Sequence, residues 1–329
     1  MNHDFSRTDP KDAHLVASNA QDGYFDFYQG FDSHIKAMHQ YSITYTKLKR
    51  NLVQNKTRVR ALIERVFPEF TKALDLDTDT ARYLLGKYFL PPHFIDIDIE
   101  SEANQIEKIS QKQHGRATLE NLKKYAHASI GLPLQGEEIL SYRIILDSWL
   151  ILLEHIEEQM KMIMKELKRL AKQTRYFEIL TSLGGISNKL ASLFIAETRD
   201  PSQFNVYKKL EKYAGYNLRQ SQSGQNVGAR HMSHIGNKRL SWILYKMTEE
   251  AAKYVTEVRI KFLKRQIKRK KYRKNIIASS SILLKLIIAL VKENRTYKIN
   301  QENLIKLGYL EHQYNELIRK NNRKYYKVA

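Results

Sequence analysis

The 329-residue sequence contains no cysteine. That excludes disulfides, thiolate zinc sites, iron–sulfur ligation and a cysteine nucleophile, and is compatible with a reducing cytosol. Chemistry must therefore come from oxygen and nitrogen groups. Glycine and proline are scarce, 13 and 6 residues, which leaves few chain breaks. The apolar residues recur mostly three and four apart rather than alternately, so the chain is expected to be mainly α. The first residues, MNHDFSRTDPKDAHLVASNAQDG, have no apolar export segment, and a cytoplasmic, nucleoid-associated protein is expected. The longest apolar run, Ile276 to Val291, contains Ser279, Ser280, Ser281 and Lys285. It falls short of the ~20 residues of a spanning helix and is read as a buried helix, with no membrane partner. A mean hydropathy of −0.54, with 42% hydrophobic residues, gives enough apolar material for a core. At ~150 residues per domain the length suggests about two domains.

Acidic residues are the other shortage, and they are unevenly placed. The chain has 56 Lys and Arg against 35 Asp and Glu, a net charge of +21. Residues 1–170 carry 23 basic and 24 acidic side chains, whereas residues 171–329 carry 33 and 11. All the excess lies in the C-terminal part. Such an asymmetry suits a polyanion, because each cation placed on a phosphate releases condensed counterions. Nucleic acid is the leading partner, and an anionic membrane surface the weaker alternative.

Thr8-Asp9-Pro10 reads as a helix start, with Asp9 able to cap and a helix running to about Ala20. A second amphipathic stretch covers Ser33 to Val66 and ends at Phe67-Pro68, because the residue before proline leaves the helical region. From Glu137 to about Arg175, Ile145, Trp149, Leu152, Ile156, Ile163, Leu167 and Leu170 form a heptad-like seam. This long helix is expected to pair either with the 101–125 segment of the same chain or with a second protomer.

Gly184-Gly185-Ile186, between Leu180–Leu183 and Ser187–Ala191, is placed as in a helix-hairpin-helix. Glycines there let backbone N–H groups, with Lys189 behind them, approach a phosphate without reading sequence. An ordinary αα turn is the plain alternative. Arg259 to Lys274 holds ten basic residues in sixteen and no acid. Lys264, Arg265, Lys268 and Arg269 are expected to lie along a polyanion as a helix or arm, since like charges this dense repel one another without an anion. His231 and His234 have ligand-like spacing, but with no cysteine and no acidic neighbour a phosphate contact is the expected role of His231. The tail Arg319 to Lys327 mixes cations with Tyr325 and Tyr326, which suits stacking on bases.

The order of landmarks is more specific than any one of them. After the glycine hairpin come Asp200-Pro201-Ser202-Gln203-Phe204, Tyr213-Ala214-Gly215-Tyr216, Ser223-Gly224 in a polar loop, and Gly236-Asn237-Lys238-Arg239-Leu240. This resembles the C-terminal domain of the insertion-sequence transposases related to Piv DNA invertases, the DEDD transposase family. Upstream, Thr8-Asp9 with Asp12-Ala13, Asp22-Gly23, and Leu48 to Phe70 are similar to the helices that close that family's first domain.

The resemblance implies a mainly α chain in three parts. Residues 1–70 would be the last helices of a RuvC-like domain, 71–178 a coiled-coil region, and 179–329 a basic transposase domain with a helix-hairpin-helix. It implies DNA cleavage and rejoining through a nucleophilic serine, matched by Ser223, with Ser221 the second choice. A serine ester to DNA conserves bond energy for rejoining, and needs an activating base and cations for the phosphate. Arg219, Arg230, Lys238 and Arg239 are near enough in sequence to supply the cations. Asp9 and Asp12 match the last two carboxylates of an Asp-Glu-Asp-Asp Mg²⁺ tetrad, although Asp9 as a cap and Asp12 in the first turn also suit the helix dipole. The family's other two carboxylates precede the position of Met1, so the metal site of this chain alone is expected to be incomplete. The family further implies dimers pairing into tetramers and a structured guide RNA that chooses the DNA sites. The alternative reading is a catalytically incomplete nucleic-acid-binding fragment of such a transposase.

Overall fold

The computed structural model describes residues 9–21, 30–223, 226–232 and 235–325; for residues 218–231 and 321–325, and for Asp9, Lys11, Leu15, Asn19 and Ala20, the backbone alone is described. The described residues are mainly α, as the sequence leads one to expect. After α1 (Asp9–Gln21) comes the long α2 (Ser33–Val66), unbroken because it contains neither glycine nor proline. It stops at Phe67, whose backbone has left the helical region ahead of Pro68. Five shorter helices follow: α3 (Phe70–Ala73), α4 (Asp79–Lys87), α5 (Pro91–Ile95), α6 (Ile99–Ile109) and α7 (Arg116–His127). Then α8 (Glu137–Lys172) runs for 36 residues, about 54 Å at 1.5 Å per residue. Glu137 and Glu138 in its first turn and Arg169 and Lys172 in its last complement the helix dipole.

The partner of α8 is α2, packed antiparallel along its length. The 101–125 segment, one of the two partners expected for it, instead turns back on itself as α6 and α7, and sends Ala103, Ile106, Leu119 and Leu122 into a local core. Pairing α2 with α8 divides the buried apolar side chains between two clusters. In one, Val59 to Val66 of α2 and Leu146, Leu150 and Leu153 of α8 close over α3 to α7, around Phe67, Phe70 and Phe94. These rings meet with centroids 5.4 to 6.0 Å apart at tilted or edge-on angles, which suits their quadrupoles. In the other, Met38 and Tyr45 of α2 and Met164, Leu167 and Leu170 of α8 join the C-terminal helices. The two long helices thus fix one cluster relative to the other.

The C-terminal elements are α9 (Arg175–Thr181), α10 (Asn188–Thr198), a single turn of tighter helix at Pro201–Gln203, and α11 (Tyr207–Tyr213). A two-stranded antiparallel hairpin, β1 (Leu218–Ser223) and β2 (Asn226–Met232), comes next. The segment read as a polar loop is therefore paired strand, with an irregularity of register between Gln220 and Gln222. The chain then completes the core with α12 (Lys238–Tyr254), α13 (Thr256–Ile267), α14 (Tyr272–Glu293) and α15 (Gln301–Tyr325). At 22 residues α14 is longer than the apolar run suggested, and by length and composition it could cross a membrane. Here it lies against α11, α12 and α13 and buries Ile276, Leu283, Leu284, Ile287 and Leu290 in the second core. Ser279 and Ser280 are fully buried within it; the Ser280 hydroxyl donates to the Ile277 carbonyl at 2.7 Å, whereas the Ser279 hydroxyl has no hydrogen-bond partner among the described residues.

Candidate nucleic-acid interface

Two of the sequence landmarks, Tyr213 to Tyr216 and Gly236 to Leu240, meet at the base of the β1–β2 hairpin. Gly236 meets the stretch Tyr213 to Gly215 so closely that a Cβ on it would sit 2.6 Å from both the Gly215 nitrogen and the Tyr213 carbonyl oxygen. The next residue, Asn237, donates its backbone N–H to that Tyr213 carbonyl at 2.8 Å. Its side-chain oxygen caps α12 by accepting from the N–H groups of Arg239 and Leu240 at 3.0 and 3.1 Å. Gly215 lies at φ +76°, where a side chain would be strained. Tyr216 is buried and donates its hydroxyl to the Ser241 carbonyl at 2.6 Å. Burial pushes its phenol up to about 12. These contacts clasp the two ends of the hairpin together.

Below the clasp lies Glu197 of α10, whose side chain is fully buried. It accepts from the Arg239 guanidinium at 2.7 Å, the Ser42 hydroxyl at 2.7 Å and the Asn237 amide at 2.6 Å. Burial by itself would raise this carboxyl; the hydrogen bonds from Arg239, Ser42 and Asn237 outweigh it and hold the group below the usual carboxylate range. One carboxylate thus ties α2, α10 and α12 to the hairpin's base. Sequence reasoning missed Glu197, since a glutamate near a helix end carries no signal of its partners. Asp200 plays a smaller version of the same part: it accepts from the Ser202 N–H at 2.9 Å and from the Tyr176 hydroxyl, and so shapes the Asp-Pro turn.

Beside the clasp a cleft of about 400 Å³ opens between α2, α10 and α12. Its cations are Lys49, Arg50, Lys238 and Arg239, and Trp242 forms part of its wall. Lys49 places its ammonium 3.9 Å from the centre of the Trp242 ring. Its pKa is lowered by burial first and then by the neighbouring charges of Lys189 and Lys246. Trp242 is part-exposed, and neither it nor Lys49 was singled out from the sequence. The spacing Lys238-Arg239-x-x-Trp242 along one helix face could have suggested the tryptophan, whereas Lys49 comes from the distant α2.

The remaining sequence-derived candidates are distributed as follows. Ser223 is the last residue of β1, paired in register with Asn226 beside the turn, and Ser221 falls at the irregularity. Arg219 pairs with His231 and Gln220 with Arg230, so these two arginines and His231 lie on the same hairpin as the serines. Gly224 and His234 lie outside the described residues. Gly184 and Gly185 join α9 to α10, but the room they leave is filled by α12: added Cβ atoms would meet Tyr254 at 2.8 and 2.6 Å. The pair is thereby explained by close helix packing. Ile186 corrects the sequence reading, because it is buried in the core rather than turned toward a ligand. Lys189 is half-buried, with its ammonium 5.1 Å from the Tyr45 ring centre.

The basic run is not one continuous helix. α13 ends at Ile267, Arg269 takes a positive φ of 52°, and α14 begins at Tyr272. Lys264, Lys268 and Arg269 are exposed around this corner, while Arg265 is part-buried. Val258 and Leu263 point into the core, and Arg259, at the start of the run, is paired with Glu311 of α15 at 2.5 Å. On the N-terminal side, Asp12 is exposed on α1 and Asp9 begins that helix. Among the described residues no group of three or more His, Asp or Glu could hold a metal ion. Two carboxylates do not make a two-metal centre, so the residues described do not fit the expected Mg²⁺ site.

Residues 177–263 match the model of the Transposase IS116/IS110/IS902 family. The matched segment runs from α9 into α13 and includes the clasp, the hairpin and the Trp242 cleft. It covers about a quarter of the chain. The match supports an insertion-sequence transposase, with DNA as its partner. No curated protein matches the chain.

Proposed function

We propose that the chain cleaves and rejoins DNA strands for a mobile insertion sequence, with Ser223 as the nucleophile. The observation that carries this reading is the family match across residues 177–263, which centres on a clasped hairpin bearing Ser223 beside a cationic cleft. In the proposed step the Ser223 Oγ attacks a backbone phosphorus, its proton passing to a base. The P–O3′ bond breaks, the 3′ oxygen takes up a proton, and a 5′-phosphoserine ester remains. Lys238 and Lys49, at the base of the hairpin, offset the charge of neighbouring phosphates of the same strand, and the Arg239 charge is shared with Glu197. No step is routed through a metal. Choice of DNA site falls to a structured guide RNA, with this chain supplying backbone contacts. Assembly uses the face of α8 that carries exposed Leu140, Ile144 and Ile151, a stripe that suits a second protomer.

The test is a denaturing gel of the protein incubated with labelled element-end DNA and guide RNA. A covalent adduct is expected, reduced ~10³-fold or more in Ser223→Ala. Salt-sensitive binding with no adduct would leave only the nucleic-acid-binding fragment.

A further inference from the structure

A second basic surface lies on the other side of Tyr45, mostly outside the matched segment. A groove of about 790 Å³ runs between α2 and α8 to the start of α10. One wall is a row of lysines at helical spacing on α8, Lys161, Lys165, Lys168 and Lys172, and Lys189 stands at the far end. Eleven residues separate Lys161 from Lys172, about 16 Å at 1.5 Å per residue. That is the axial span of about five phosphates along one strand at 3.4 Å each.

None of the five lysines has a carboxylate partner among the described residues, apart from the Coulombic neighbourhood of Lys161 and Glu157. Glu157, the one carboxylate lining the groove, is already held by Arg82 through two bonds of 2.6 and 2.8 Å. Arg169, also on the wall, is paired with Glu166. The floor is apolar, formed in part by Met160 and Met164. A low-dielectric floor under unpaired cations strengthens their field. The first turn of α10 adds its partial positive charge at the Lys189 end. At the Lys161 end the field reverses, because Glu154, Glu158 and Asp79 line the neighbouring depression.

We propose that this groove holds one strand of a DNA duplex by its phosphates, as a second DNA contact remote from Ser223. The occupant is a backbone rather than unpaired bases, because the one aromatic ring in the groove, Tyr45, is already covered by Lys189 and leaves no stacking platform. The acidic depression beyond Lys161 marks where the strand leaves the surface. The proposal rests on the DNA-acting reading above and deepens it: a duplex anchored on α8 would reach the hairpin already aligned.

The test is binding of a labelled 40-base-pair duplex and of a structured RNA to the full chain, across a salt series. The variants are Lys161→Ala with Lys165→Ala, Lys168→Ala and Lys172→Ala, and the same four positions changed to Arg. With four phosphate contacts removed, the slope of log K against log salt should become shallower by about three to four for the duplex, and affinity at moderate salt should fall at least tenfold. The arginine variant should keep the slope. The alanine variant should melt close to the unaltered chain, since relief of like-charge crowding offsets the lost attraction of Lys161 to Glu157, and at saturating DNA it should still form the serine adduct. An unchanged duplex slope overturns the groove and leaves the proposed function standing. Loss of RNA binding with unchanged duplex binding overturns the DNA assignment. Absence of salt-dependent binding by the unaltered chain overturns both.

Discussion

Replacing Glu197 by alanine is expected to cost about 3–5 kcal/mol, because it removes the fully buried acceptor of an ion pair with the part-exposed Arg239 and of two further hydrogen bonds. Three donors lose their acceptor at once: the Arg239 guanidinium, the Ser42 hydroxyl and the Asn237 amide. Ser42 is fully buried and has no water to turn to, and unsatisfied buried donors carry their full desolvation cost. A denaturant midpoint measured by circular dichroism should show the loss without a change in slope. Removing both charges, as Glu197→Leu with Arg239→Met, should recover part of it, since an apolar pair of similar volume needs no charge compensation. The same carboxylate makes stability pH-dependent. Its folded pKa lies below the unfolded value, so its contribution is fully present above about pH 4.5 and is lost as pH falls through the folded pKa. Acid unfolding should therefore begin earlier in any variant that already lacks one of the three donors.

Gly236→Ala should be nearly as damaging, at about 3 kcal/mol, and more selective in its effect on activity. The added methyl would lie 2.6 Å from two backbone atoms, Gly215 N and Tyr213 O, and backbone cannot swing aside as a flexible side chain can. The φ of +155° adds strain for any L side chain. Relief requires the 213–216 and 235–238 segments to part, which breaks the Asn237–Tyr213 hydrogen bond and loosens the α12 cap. The expected result is a chain whose helical signal is nearly unchanged but which forms the serine–DNA adduct at least tenfold more slowly. The comparison is made by stopped time courses on the denaturing gel. Adduct formation at the unaltered rate would show that the clasp does not position the hairpin.

The long helices were legible because nothing interrupts them: α2 was bounded at Ser33 and Val66 by polarity on one side and Phe67-Pro68 on the other. Their pairing was not legible, since α6 and α7 present amphipathic faces of the same kind and only packing decides which helix α8 meets. The β1–β2 hairpin escaped notice because Leu218 to Met232 is largely polar, so strand periodicity leaves no apolar alternation to detect. Gly236 and Asn237 were visible as landmarks, yet their reason is tertiary: one makes room for Gly215, the other bridges to Glu197. The lysine row of α8 sat inside a segment read for its apolar seam, where the spacing of three and four that marks the seam also places the cations in line. Gly184 and Gly185 show the converse, a pattern with a familiar binding role whose geometry is answered by Tyr254 of the same chain.

Ser223, at the end of β1, is proposed as the residue that joins DNA. The most direct measurement is mass spectrometry of the nuclease- and protease-trimmed adduct, locating the residue that carries the nucleotide remnant. A phosphodiester remnant is expected on Ser223 and none on Ser221. Linkage at Ser221 or at any other residue, or no linkage in a protein that binds the DNA, would contradict this assignment.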